Sequence, residues 1–129
     1  PTDPAVVEQP AGPIDAPCAE ARGLRASGET VALVCDAQAW VLDATGTSWT
    51  PISAAGVGAV AIDGADVVVA GAAPDCEGVA LTRYADADPG RSSPAGCAPE
   101  ADPTGALAIT PTADGIVLWS GDTLTTVTG

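Results

Sequence analysis

Three stretches decide the fold: GLRASGETVALVC (23–35), AVAIDGADVVVAG (59–71) and ALAITPTADGIVLWS (106–120). Each runs as a short apolar strand, a turn containing Gly, and a second strand rich in Val or Leu. The first continues into AWVLDATGTSWTPI (39–52). The second, after a longer loop, continues into VALTRYADADPGRSS (79–93), and the third into TLTTVTG (123–129). A unit of antiparallel strands repeated in this way predicts propeller-like blades. They fall at 23–52, 57–97 and 105–129, the last without its fourth strand.

The surrounding sequence agrees with an all-β chain. From residue 18 onward no helical periodicity of useful length occurs. Short runs rich in Val, Ile, Leu, Thr and Trp lie at 30–35, 39–43, 48–52, 57–62, 66–71, 79–84, 106–110, 116–119 and 124–128. Gly, Asp and Pro interrupt them every eight to twelve residues, the spacing of short antiparallel strands. An immunoglobulin-like β-sandwich is the alternative, since the chain beyond residue 18 has the right length for one. Residues 1–17 hold five of the twelve prolines and read as a tail or linker, leaving 18–129 as the repeat domain. Proline fixes φ and removes a backbone donor, so this tail is extended and resembles the spacer after a signal peptide or lipid-anchored Cys. Within it, Ala5-Val6-Val7-Glu8 can still pair as a strand, and donating it to a neighbour would complete an open blade.

Composition removes whole classes of function. The 129 residues are 47% hydrophobic and 16% charged, too apolar for a disordered chain, and the net charge is -13. Arg22, Arg25, Arg83 and Arg91 are the only basic residues. Nucleic acid is therefore not a partner, because phosphate binding needs a positive patch, and anionic membrane surfaces go with it. Membrane insertion is not expected either, as no apolar run approaches the ~20 residues of a span. Met, Phe, His, Asn and Lys are all absent, the signature of a GC-rich genome. Without His there is no imidazole base and no Ser-His-Asp triad.

Cys18, Cys35, Cys76 and Cys97 read as two disulfides in an exported chain. The blade arrangement selects a pairing. Cys18 precedes the first strand and Cys35 ends the second, which antiparallel pairing brings to one end. Cys76 and Cys97 meet in the same way in the second blade. Hence Cys18–Cys35 and Cys76–Cys97 are expected. Zinc sites need closely spaced ligand pairs, and gaps of 17, 41 and 21 residues offer none, so no metal is expected.

Two hairpins carry a family resemblance. Asp43-Ala44-Thr45-Gly46-Thr47-Ser48-Trp49 and Asp86-Ala87-Asp88-Pro89-Gly90-Arg91-Ser92-Ser93 resemble the Asp-box of sialidase-type repeats, which runs Ser/Thr-x-Asp-x-Gly-x-Thr/Ser-Trp. The resemblance implies a propeller whose Asp ties down the hairpin's amides, whose Gly takes positive φ and whose Trp packs between sheets. The second copy keeps Asp88, Gly90 and Ser92 but has Ser93 for Trp. The first keeps Gly46, Ser48 and Trp49 and has Ala44 in place of Asp, next to Asp43. In that family the box is structural and lies away from the active face. True sialidases use an Arg triad, a Tyr nucleophile with a Glu, and an Asp. Here Tyr84 is the only Tyr and four Arg are scattered, so the resemblance implies the fold without the activity.

Binding chemistry is left to a few residues. Trp40 and Trp119 both lie toward the end where the second strand of a blade meets the third. Trp offers a large apolar body with a polar handle, suited to binding anchors and sugar stacking. Asp75, Glu77 and Asp122 lie near that end. Asp86-x-Asp88-x-Gly90 looks like a calcium-loop opening but lacks the bidentate Glu, and a structural turn is the expectation. We therefore expect a secreted or cell-envelope binding and assembly module with no enzyme activity and no cofactor. Its expected partner is another protein or a second copy. The alternative is a glycan-binding protein or a fragment of a sialidase-like glycoside hydrolase.

Overall fold

The computed structural model describes residues 17–27, 30–42, 48–53, 56–102 and 107–127. They form three antiparallel sheets in which strand order follows chain order. The first contains β1 (Arg22–Ser27), β2 (Thr30–Cys35), β3 (Gln38–Leu42) and β4 (Trp49–Pro51). The second contains β5 (Val57–Asp63), β6 (Asp66–Ala73), β7 (Cys76–Tyr84) and β8 (Ser92–Ala98). The third contains β9 (Leu107–Thr112), β10 (Gly115–Ser120) and β11 (Thr123–Val127). The chain is all-β, and none of the three sheets closes on itself. An immunoglobulin-like sandwich is excluded, because its two sheets share strands from distant parts of the chain. Here every sheet is built from consecutive strands.

Tight turns explain why consecutive strands pair. Two residues connect the strands at 36–37, 64–65, 74–75, 113–114 and 121–122. Asp36 and Ala37 both take positive φ, 55° and 61°, which matches the right-handed twist of a hairpin. Ala37 holds this unfavourable geometry while its carbonyl accepts the Val57 N–H at 2.8 Å, fastening the first sheet to the start of the second. In the second sheet Arg83 hydrogen-bonds Asp63 at 3.0 Å and Asp66 at 3.1 Å, so one guanidinium spans the β5–β6 hairpin where it turns.

The second sheet lies in the middle. Val67 through Gly71 of β6 are all buried, the continuous apolar run of a strand covered on both faces. Val67, Val69 and Tyr84 face the first sheet and pack with Ala32, Val34, Ala39, Val41 and Ile52. Val68, Ala70, Val79 and Leu81 face the third sheet and pack with Ile109, Ile116, Leu118 and Val127. A Cβ on Gly58 would run into the Leu107 side chain of the third sheet, and other glycines let strands of the second sheet approach closely. A Cβ on Gly71 would run into the Gly56 carbonyl oxygen, and one on Gly78 into the carbonyl oxygens of Ala98 and Ala101. The first strands of the sheets meet, with β5 packed against β1 and β2 on one side and β9 on the other.

Both expected disulfides are present. Cys18 and Cys35 have Cα atoms 5.9 Å apart, and Cys76 and Cys97 6.0 Å apart. Arg22 pairs with Val34, and this antiparallel register brings the residues before β1 beside Cys35. Ala5–Glu8, Asp43 and Gly46 lie outside the described residues.

Candidate functional site

Alternation along β10 creates the most distinctive surface. Ile116 and Leu118 point into the core against the second sheet, so Val117 and Trp119 point away from it. Val117 pairs with Thr110 and Thr126, and Trp119 with Ala108 and Leu124, which puts these six side chains on one face. Among the described residues no sheet covers that face. Trp119 is 50% exposed and Leu124 62%, and none of the six side chains is charged. The Trp119 indole N–H donates to the Gly121 carbonyl in the following turn, so the ring has a fixed partner at its polar edge.

On the other side of the third sheet, which faces the second sheet, the segment after β8 is fastened to β10. The Asp102 N–H donates to Ser120 Oγ at 3.0 Å, and the Ser120 hydroxyl donates to the Asp102 carbonyl at 3.3 Å. A cleft results, lined in part by Glu100, Asp102, Ser120, Asp122 and Thr125. Asp122 stands in the exposed β10–β11 turn and accepts from the Thr123 hydroxyl at 3.4 Å. Among the described residues the cleft carries three carboxylates and no basic side chain, so it repels anions.

Trp40 does not join Trp119. Trp40 pairs with Leu33 and Pro51 on the outer face of the first sheet, and its indole N–H donates to the Cys35 carbonyl at 3.1 Å. There it lies over its own sheet, where Leu33 is only 4% exposed. The common strand end suggested by sequence position is real, but the two indoles lie on the outermost faces of the stack, with all three sheets between them. Asp75, in the β6–β7 turn, and Glu77, on β7, are exposed on the second sheet next to the Cys76–Cys97 bridge. They are not assembled with Trp119 either.

The hairpin residues resolve into structural roles. Asp88 Oδ1 accepts the Gly90 N–H at 2.9 Å. Gly90 does not take positive φ, contrary to the expectation. Asp86 and Ala87 do so instead, at 55° and 56°. Asp86 is ion-paired with Arg91, and its N–H donates to Asp66 Oδ1 at 3.0 Å. The two carboxylates of the calcium-like pattern are thus engaged by Arg91 and by a backbone amide. Among the described residues no group of three or more potential metal ligands forms. Ser92 opens β8 and is exposed. Trp49 pairs with Leu42 on the outer face of the first sheet, alongside Trp40, rather than packing between two sheets.

Tyr84 is 8% exposed and sits in the core between the first and second sheets, where burial pushes its hydroxyl above the ordinary value of 10.0. A phenol held inward and protonated is a poor nucleophile. Sequence reasoning singled out Trp119 and missed Leu124, Val117, Thr110 and Thr126. The alternation in TLTTV and ALAIT carried that information, but only once it was known which register faces the core. In comparisons with known proteins, no family model, no curated protein and no solved structure matches the chain.

Proposed function

We propose that the chain is a secreted or cell-envelope binding and assembly module, without catalysis, built from propeller-like blades. The uncovered face of the third sheet carries this reading. Exposed large apolar side chains on a flat sheet face, with no charge among them, suit burial against a partner. Three further features support it. Each sheet is a meander, and the first strands meet through β5, as blades do around an axis. The Asp88–Gly90 hydrogen bond matches the role of an Asp-box carboxylate. Two disulfides suit an oxidising compartment such as the cell exterior.

A neutral glycan is the second reading, favoured by the exposed indole of Trp119 with Thr110 and Thr126 hydroxyls on the same face. Titration with neutral oligosaccharides, followed by tryptophan fluorescence, separates the two. The module reading expects no saturable change, and it expects no turnover of a fluorogenic sialoside. Saturable quenching lost in Trp119→Ser would establish the glycan reading. Turnover lost in Tyr84→Phe would establish a hydrolase.

A further inference from the structure

We infer that the outer face of the third sheet is covered by the outer face of the first sheet of a second copy, head to tail. The inference rests on the binding-module reading and names its partner. It comes from register. The hairpins β1–β2, β5–β6 and β9–β10 close on the pairs Ser27 with Thr30, Asp63 with Asp66, and Thr112 with Gly115. Counting from those pairs, Ala32, Val68 and Val117 are equivalent positions, and so are Val34, Ala70 and Trp119. Ala32 and Val34 face the second sheet. Val68 and Ala70 face the third. Val117 and Trp119 therefore mark the face that meets a following sheet, and among the described residues no following sheet lies against it.

The opposite face ends the stack in the complementary way. Val67 and Val69 look back at the first sheet, and Ile116 and Leu118 look back at the second. Their counterparts are Val31 and Leu33, which occupy the outer face of the first sheet with Ala26, Trp40 and Leu42. The stack thus begins with a face shaped to follow a sheet and ends with a face shaped to precede one. Contact between them continues the same packing that joins the three sheets, and two copies can close a ring of six, within the roughly four to eight blades of propellers. Trp119 is larger than Val34 or Ala70, and the outer face of the first sheet differs from the other two in turn. It has Ala26 where the second sheet has Ile62 and the third has Pro111, and Trp40 where they have Thr82 and Thr125.

Charge shapes the salt response. Each copy carries -13, so copies repel until salt screens them. Association through these uncharged faces strengthens as salt rises, the reverse of an interface held by ion pairs.

Variants with one added cysteine, Ala26→Cys and Thr126→Cys, both at exposed positions, test the arrangement in the full chain with its disulfides intact. Mixed and treated with a short bismaleimide at moderate salt, they should give a crosslinked heterodimer. Neither variant alone should crosslink, and adding Leu124→Ser should weaken association about tenfold or more. Sedimentation of the unmodified chain should show dimer rising with concentration and with salt. A crosslink within Thr126→Cys alone would overturn the inference in favour of a symmetric contact between third sheets. A monomer at every concentration and salt would overturn self-assembly. If that monomer also binds no oligosaccharide, the module reading with a different protein partner stands. If it binds one through Trp119, the module reading falls too.

Discussion

Leu118 and Leu124 sit on neighbouring strands of the third sheet and face opposite ways, which makes them a matched test of its sidedness. Leu118 is fully buried against the second sheet, whereas Leu124 is 62% exposed. Truncating Leu118 to Ala removes three buried carbons, about 2.4 kcal/mol at ~0.8 kcal/mol each. The cavity left among Leu81, Ile109 and Ile116 adds to that, for a total of about 3 to 4 kcal/mol. Leu124→Ala touches no core contact, so it should change stability by no more than about 0.5 kcal/mol. Urea unfolding at high dilution, with both disulfides intact and followed by far-ultraviolet circular dichroism, measures both. The two variants should share the slope of the parent chain. A loss below about 1 kcal/mol for Leu118→Ala, or an equal loss for both, would refute the assignment of faces.

Other consequences follow from the same geometry. Peptide mapping without reduction should recover Cys18–Cys35 and Cys76–Cys97. Replacing Cys76 and Cys97 together by Ser should lower stability by about 3 kcal/mol in the chain-entropy model, and a Cys35–Cys76 peptide would contradict the sheet order. Asp66 is held below its ordinary 3.8, first by the Asp86 N–H hydrogen bond, which outweighs partial burial, and then by Arg83. A depressed carboxyl contributes stability above its ordinary value and loses it as pH falls through the lower folded value. The stability gap between the parent and Asp66→Asn should therefore be constant near neutrality and shrink below pH 3.8. A gap that widens on acidification would show the opposite linkage. Gly78→Ala forces a Cβ against the Ala98 and Ala101 carbonyl oxygens and should destabilise by about 1–3 kcal/mol, whereas a neutral result in urea would mean the 98–102 segment yields.

Most of the fold was legible because two-residue turns and alternating strands leave a strong mark. The runs at 30–35, 57–62 and 66–71 coincide with β2, β5 and β6 to within two residues. β8 was the weak point. Its sequence, SSPAGCA, has no large aliphatic residue and contains Pro94, which an edge strand tolerates because its outer amides need no partner. The disulfides were legible because strand ends are a topological property. The site was legible only in part. Trp119 stood out by residue type, but Trp40 stood out equally and covers its own sheet instead. What separates them is which face of which sheet is covered. That depends on how the sheets stack, and local sequence does not encode stacking order. Likewise, Gly90 and the left-handed pair Asp86 and Ala87 exchanged roles, because the Asp66 and Arg91 contacts to Asp86 come from outside the motif.

The central claim is that the Trp119 face is open in one copy and buried in association. A chain with Trp40→Phe and Trp49→Phe leaves Trp119 as the only indole, and acrylamide quenching reads its accessibility directly. At moderate salt, quenching should be strong in dilute solution and fall as protein concentration rises, in step with the sedimenting mass. Quenching that stays strong at every concentration, or is weak already in dilute solution, would contradict the claim.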